Sequence, residues 1–188
     1  MWPLIIVLII LVALVVYVIV VYNGLIRSRN QIENAWSQID VQLKRRLDLI
    51  PNLVETVKGY ASHEKETLDA VISARNAAVA APDTPAAQAS ADNALTGTLR
   101  QLFALGEAYP DLKANQNFLS LQAELADLEN KIAASRRFFN NAVQEYNTAI
   151  EQFPAVLIAR QFGFTPREFF ELGEDEAAAV QAAPEVKF

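Results

Sequence analysis

The chain has 188 residues, 52% of them hydrophobic, with a single histidine, no cysteine and a net charge of -6. Without cysteine there is no disulfide, thiol nucleophile or thiolate metal site, and the acidic balance argues against a nucleic-acid surface. Setting aside the apolar beginning leaves roughly 165 residues, the size of one compact domain.

Every residue from Leu4 to Tyr22, LIIVLIILVALVVYVIVVY, is apolar or aromatic. About 20 helical residues cross a hydrocarbon core of roughly 30 Å, so residues 1–23 read as a transmembrane anchor. A cleaved signal peptide would want a basic start, a shorter apolar core and small residues before the cut. None of these is present, and the anchor is expected to stay. Trp2 at one end and Tyr17 and Tyr22 at the other suit the interfacial belts. Arg27, Arg29, Lys44, Arg45 and Arg46 all follow the span. That asymmetry favours a single-pass protein with a cytoplasmic C-terminal domain, the opposite side of the membrane being the alternative. Arg27 and Arg29 join the aromatic residues as the expected membrane interface, with the Arg29 stem along apolar surface and its guanidinium at headgroups.

Residues 24–172 read as an all-α bundle: few glycines, much Ala, Leu, Gln, Glu and Arg, and no alternating β-branched pattern. The first helix continues out of the membrane along one stripe, Leu25, Ile32, Trp36, Ile39, Leu43, Leu47, Ile50, Val54, Val57 and Ala61. Pro51 interrupts it in composition but not in phase. The spacing predicts a helix that passes through Pro51 with a kink and a lost bond to the Leu47 carbonyl; the alternative is a new helix starting at Pro51, with Asp48 as an approximate cap. Lys44, Arg45, Asp48, Asn52 and Glu55 share the opposite face, where Asp48 can reach Lys44 or Arg45.

A second helix is expected from about Ser62, with Leu68, Val71, Ile72 and Val79 inward. A turn at 82–85 leads to a third, capped by Thr84 with Pro85 first, which ends near Tyr109. The fourth, from about Asn115 to Phe153, carries a coiled-coil-like heptad stripe: Phe118, Leu121, Leu125, Leu128, Ile132, Phe139, Val143, Tyr146 and Ile150, weak only at Ser135. The fold class is therefore all-α, an N-terminal transmembrane helix continuing into an elongated antiparallel bundle of about four helices. FPAVLIARQFGFTPREFF breaks the helical pattern and should fold back on the bundle, a partner-docking patch being the alternative. Residues 173–188 read as a disordered acidic tail.

Little in the chain suggests catalysis. His63 beside Glu64 has no second histidine or HExxH spacing, and no glycine-rich phosphate loop, GxSxG or SxxK occurs. The carboxylates of 64–66 and 173–176 read as solvated surface. The expectation is a non-enzyme with no metal, cofactor or small-molecule substrate.

YNGLIRSRNQIENAWSQIDVQLKRRLDLIPNLVETVKGYASHE, then AVISAR, then YPDLKANQNFLSLQAELADLENKIAASRRFFNNAVQEYNTAIEQFP resemble the LemA family from Tyr22 to Phe170. The resemblance implies an anchored helical bundle of bacterial envelopes with no established activity and no catalytic residues. A family member takes part in forming magnetosome membranes, which implies a role in organising or remodelling membrane. Association of family members with an HtpX-type membrane metalloprotease implies, alternatively, an adaptor or regulator. Arg45, Arg46, Asp48, Leu49, Pro51 and Asn52 fall in the family's most recognisable run, and Leu49 lies off the bundle stripe. Two readings stand: the residues pack within the monomer, or they form an interaction face for a second copy or a partner. A self-assembling homo-oligomeric scaffold on the lipid bilayer is the first functional reading, and an adaptor to a membrane protease the second.

Overall fold

The computed structural model describes residues 2–171. The expected disordered tail, 173–188, lies outside the described residues. Among the described residues there are six helices and no strand: α1 (Trp2–Lys58), α2 (Lys65–Ala80), α3 (Pro85–Ala108), α4 (Pro110–Lys113), α5 (Gln116–Glu151) and α6 (Ala155–Gln161). The chain is an all-α helical bundle.

α1 runs unbroken through Gly24 and through Pro51, so the alternative of a fresh helix at Pro51 falls away. Proline removes one backbone donor and crowds the preceding turn. Here the apolar residues on both sides keep one helical phase, and Ile50, Leu53, Val54 and Val57 are all buried. Packing of that face outweighs the local penalty.

Contacts divide the described chain into two units. One takes 2–37 and 137–168. Its core is built from Leu25, Ile32 and Ala35 of α1, Phe139, Val143, Tyr146 and Ile150 of α5, and Ile158 and Ala159 of α6. Trp36 lies against Phe139 with ring centroids 5.7 Å apart. The other unit takes 38–136 and 169–171. It holds a core of α1, α2, α3, α4 and α5 residues that includes Ile50, Leu53, Leu68, Val71, Leu102, Leu112 and Phe118.

α2 begins three residues later than its sequence suggests. Ser62 lies in a turn and Glu64 takes the N-cap position without a side-chain cap bond. Its carboxylate is otherwise engaged, accepting from the Tyr109 hydroxyl at 2.9 Å, and that bond raises the Tyr109 phenol above its usual range. Leu68 and Val71 point inward as expected, but Ile72 and Val79 are exposed and Ala78 takes the inner position. α3 starts as its sequence dictates: Thr84 Oγ1 accepts from the Ala87 amide at 3.3 Å and Pro85 follows the cap. Gly106 on α3 is a close-approach position, since a Cβ there would stand 3.2 Å from Cε1 of Phe118. The short α4 was not foreseen. α5 opens with Asn115 Oδ1 accepting from the Phe118 amide at 3.0 Å, and it ends at Glu151, ahead of Pro154.

α6 closes with a Schellman motif: the Phe164 amide donates to the Ala159 carbonyl at 2.9 Å and the Gly163 amide to Arg160 at 3.4 Å. Gly163 has φ 71°, the left-handed conformation that this cap requires and glycine adopts freely.

Candidate functional site

Two places collect the residues to which the sequence points. The first is the membrane end, in the unit of 2–37 and 137–168. The helix from Trp2 contains a window of mean hydropathy 3.8 with none of it buried, and the side chains from 2 to 17 are exposed throughout. A water-facing apolar surface of that length is satisfied by a bilayer, so the geometry is that of a membrane anchor. Trp2 and Tyr17 stand exposed at its two ends, and Arg27 is exposed beyond it.

Tyr22 and Arg29, just beyond the exposed run, also make contacts within their own unit. The Tyr22 ring packs edge-on against Phe162 at 4.9 Å and Phe164 at 5.7 Å. Arg29 is half-buried with its guanidinium carbon 6.0 Å from the centre of the Phe164 ring, a cation–π contact. Burial pushes the nearby Tyr146 phenol up, opposed by the cations Arg167 and Arg29. Arg167 is itself held in place: its amide donates to Asn147 Oδ1 at 2.8 Å, its carbonyl accepts from Asn147 Nδ2 at 2.9 Å, and its guanidinium lies 3.5 Å from Glu33. The segment after α5 thus folds back onto α1, as the sequence suggested.

The second place is a buried ionic cluster in the other unit. Arg46 of α1 is 2% exposed and Asp92 of α3 is 8% exposed. Arg46 Nη1 donates to Asp92 Oδ1 at 2.7 Å, and Nη2 donates to Thr96 Oγ1 at 3.0 Å and to Glu129 Oε2 at 3.2 Å. One guanidinium therefore ties α1, α3 and α5 together. Arg136, also buried, adds a second cation that acts on Asp92. Desolvation holds the Asp92 carboxyl above its usual range, with Arg46 working against that rise. The free space beside the pair is about 10 Å³, enough for one water at most and far below a substrate pocket. The cluster fastens helices together; it offers no reactive cleft.

The run Arg45 to Asn52 is split by the helix that carries it. Arg46 points inward. Leu49 is partly buried and packs against the core of its own unit, which favours the within-monomer reading of that side chain. Asp48, Pro51 and Asn52 are exposed. Arg45, also exposed, pairs with Glu124 at 2.8 Å, and Lys44 pairs with Asp40 at 2.6 Å, so neither makes the contact to Asp48 that spacing alone allowed. Asn52 lines a shallow open groove with Glu55, Thr56, Asn117, Ser120 and Leu121. Asp92, Glu129 and Arg136 were missed in the sequence, although Asp92 and Arg136 occupy positions on the apolar stripes of their helices.

Pro51 finds its counterpart on α2. The carbonyl that a normal residue at 51 would have bonded belongs to Leu47, and Arg75 Nε donates to it at 3.4 Å. The donor lost from α1 is replaced from α2, so the proline gives that helix an attachment point. Arg75→Met is expected to cost about 1 kcal/mol in the native background and close to nothing beside Pro51→Ala, where the restored amide serves Leu47 itself. A double-mutant cycle read by hydrogen exchange of α2 amides checks this. Equal losses in both backgrounds would show that Arg75 acts elsewhere.

Among the described residues, no three His, Cys, Asp or Glu side chains are placed to hold a metal ion. His63 is exposed in the turn before α2.

A sequence profile of the LemA family matches residues 35–188. Protein LemA of Metamycoplasma hominis is 28% identical over 164 residues, covering 86% of this chain and 74% of the relative. Magnetosome protein MamQ of Magnetospirillum gryphiswaldense is 26% identical over 185 residues, covering 85% of this chain and 68% of the relative. Magnetosome protein MamQ 2 of Paramagnetospirillum magneticum is 23% identical with the same coverage.

Proposed function

Since this chain belongs to the LemA family, we propose that it is a non-enzymatic, membrane-anchored scaffold that self-assembles and organises or remodels the bacterial inner membrane. The observation that carries the reading is the continuity of α1, an apolar run open to its surroundings that passes without a break into a helical bundle. The polar cluster inside that bundle is closed around ion pairs, which fits a structural part better than a reaction site. Similarity to two magnetosome proteins supports a role at a membrane. The cations after the span support a cytoplasmic bundle in this reading.

The open polar groove at Asn52 favours a second reading, in which the exposed side of α1 and α5 presents itself to a membrane protease or another partner. Mass and shape of the full-length protein extracted in native-lipid nanodiscs separate the two. A discrete multimer of concentration-independent size is the expected result. A monomer would remove the scaffold reading and direct attention to a copurifying partner.

A further inference from the structure

The segment around α6 keeps large apolar side chains outside. Phe153 is 80% exposed, Leu157 60% and Phe162 54%. Its inner face is already occupied, because Ile158 and Ala159 are buried. Phe153 and Leu157, four residues apart, are what remains outside.

The position of this segment decides what that face meets. Tyr22 ends the apolar run of α1, and the Phe162 ring lies 4.9 Å from it. On α1 every side chain from 2 to 17 is exposed, whereas Val18, Val21 and Tyr22 are partly covered. Phe162 and Phe164 therefore stand at the depth where the span leaves the hydrocarbon, and the seven-residue α6 leads directly into them. Composition agrees: from 152 to 166 the only charged side chain is Arg160, which is exposed, and there is no carboxylate. Exposed Phe and Leu with one cation and no anion suit the layer between acyl chains and phosphates.

We infer that α6 and its flanks form a second membrane contact, a foot in which Phe153, Leu157 and Phe162 enter the interfacial layer beside the anchor and Arg160 meets lipid phosphates. The inference rests on the membrane anchoring proposed above. With this contact the unit is held to the bilayer at two places, which fixes its tilt.

The cysteine-free chain allows a direct test. Full-length Phe153→Cys, Leu157→Cys, Val12→Cys and Leu119→Cys carry one nitroxide each in vesicles of phosphatidylethanolamine and phosphatidylglycerol. Power saturation then compares oxygen with a water-soluble nickel chelate. Val12 marks the hydrocarbon and Leu119 the aqueous phase. Labels at 153 and 157 are expected to favour oxygen several-fold more than the label at 119, at a shallower depth than 12. Nickel access at 153 and 157 equal to that at 119, with 12 still in lipid, overturns the foot and leaves the anchor standing. Immobilised labels shielded from both reagents point to a protein partner or a second copy, and overturn it too. Nickel access at 12 overturns anchor and foot together.

Discussion

Arg46→Leu is expected to destabilise the unit that contains it by about 3–5 kcal/mol, because it leaves the Asp92 carboxylate buried without its main counter-charge. Lysine should not rescue it: Arg46 reaches Asp92, Thr96 and Glu129 through two nitrogens of one planar group, a geometry a single ammonium lacks. Replacing Arg46 and Asp92 together by leucine should recover most of the loss, since a buried ion pair exchanged for apolar packing is often nearly neutral.

A pH signature accompanies these variants. Burial raises the Asp92 carboxyl above its ordinary 3.8. The folded form thus holds its proton more tightly than the unfolded form, and the stability this contributes is fully present below 3.8 and lost as pH rises through the folded value. The penalty of Arg46→Leu should therefore shrink as pH falls toward 3.8, and Asp92→Asn should abolish that dependence. Urea unfolding of full-length protein in micelles, followed across this acid range, checks both. A penalty that stays constant with pH would mean that Asp92 is not the group left stranded.

Leu53→Ala should cost about 2–5 kcal/mol, as expected when a core leucine is truncated. Leu53 is fully buried among Ile50, Val57 and Leu102 in the core of its unit. The neighbouring Asn52 faces solvent, and Asn52→Ala should stay within about 0.5 kcal/mol. Pulse proteolysis of the two variants gives the contrast. If Asn52→Ala proved as costly as Leu53→Ala, the rotational setting of α1 around Pro51 would be wrong.

Leu53 also shows where sequence reading reaches its limit. The stripe through Leu47, Ile50, Val54 and Val57 established that α1 continues past the proline, and the capping residue Thr84 marked the start of α3. A stripe is a line, however, and this helix is enclosed by several others. Leu53 is buried because the covered arc is wider than the line that periodicity traces.

The ionic cluster was hidden for a related reason. Arg46 stands three residues after Leu43 and four before Ile50; Asp92 stands three after Ala89 and three before Leu95; Arg136 stands four after Ile132 and three before Phe139. Each fills a place on an apolar face, and a charged residue there signals a buried partner. Ser135 is the weak point of the α5 heptad, yet the informative residue is its neighbour Arg136. Which charge meets which depends on how α1, α3 and α5 are arranged, and no single helix carries that information. The case of Ile72 and Val79 is the converse, since apolar residues on a short helix say little about which side is covered until its neighbours are known.

The unbroken passage of α1 from the apolar run to the core residues Leu25, Ile32 and Ala35 makes the anchor a keyed shaft and not a tether. A flexible joint would transmit height above the bilayer and nothing else. A helix also transmits azimuth: one residue added near Asn23 would turn Leu25, Ile32 and Ala35 about the span by about 100° and raise them by about 1.5 Å. A seven-residue insertion would nearly restore the azimuth while lifting the unit by roughly 10 Å. For this protein, the anchor's length and rotational phase are part of the fold, and another apolar helix could replace it only in register.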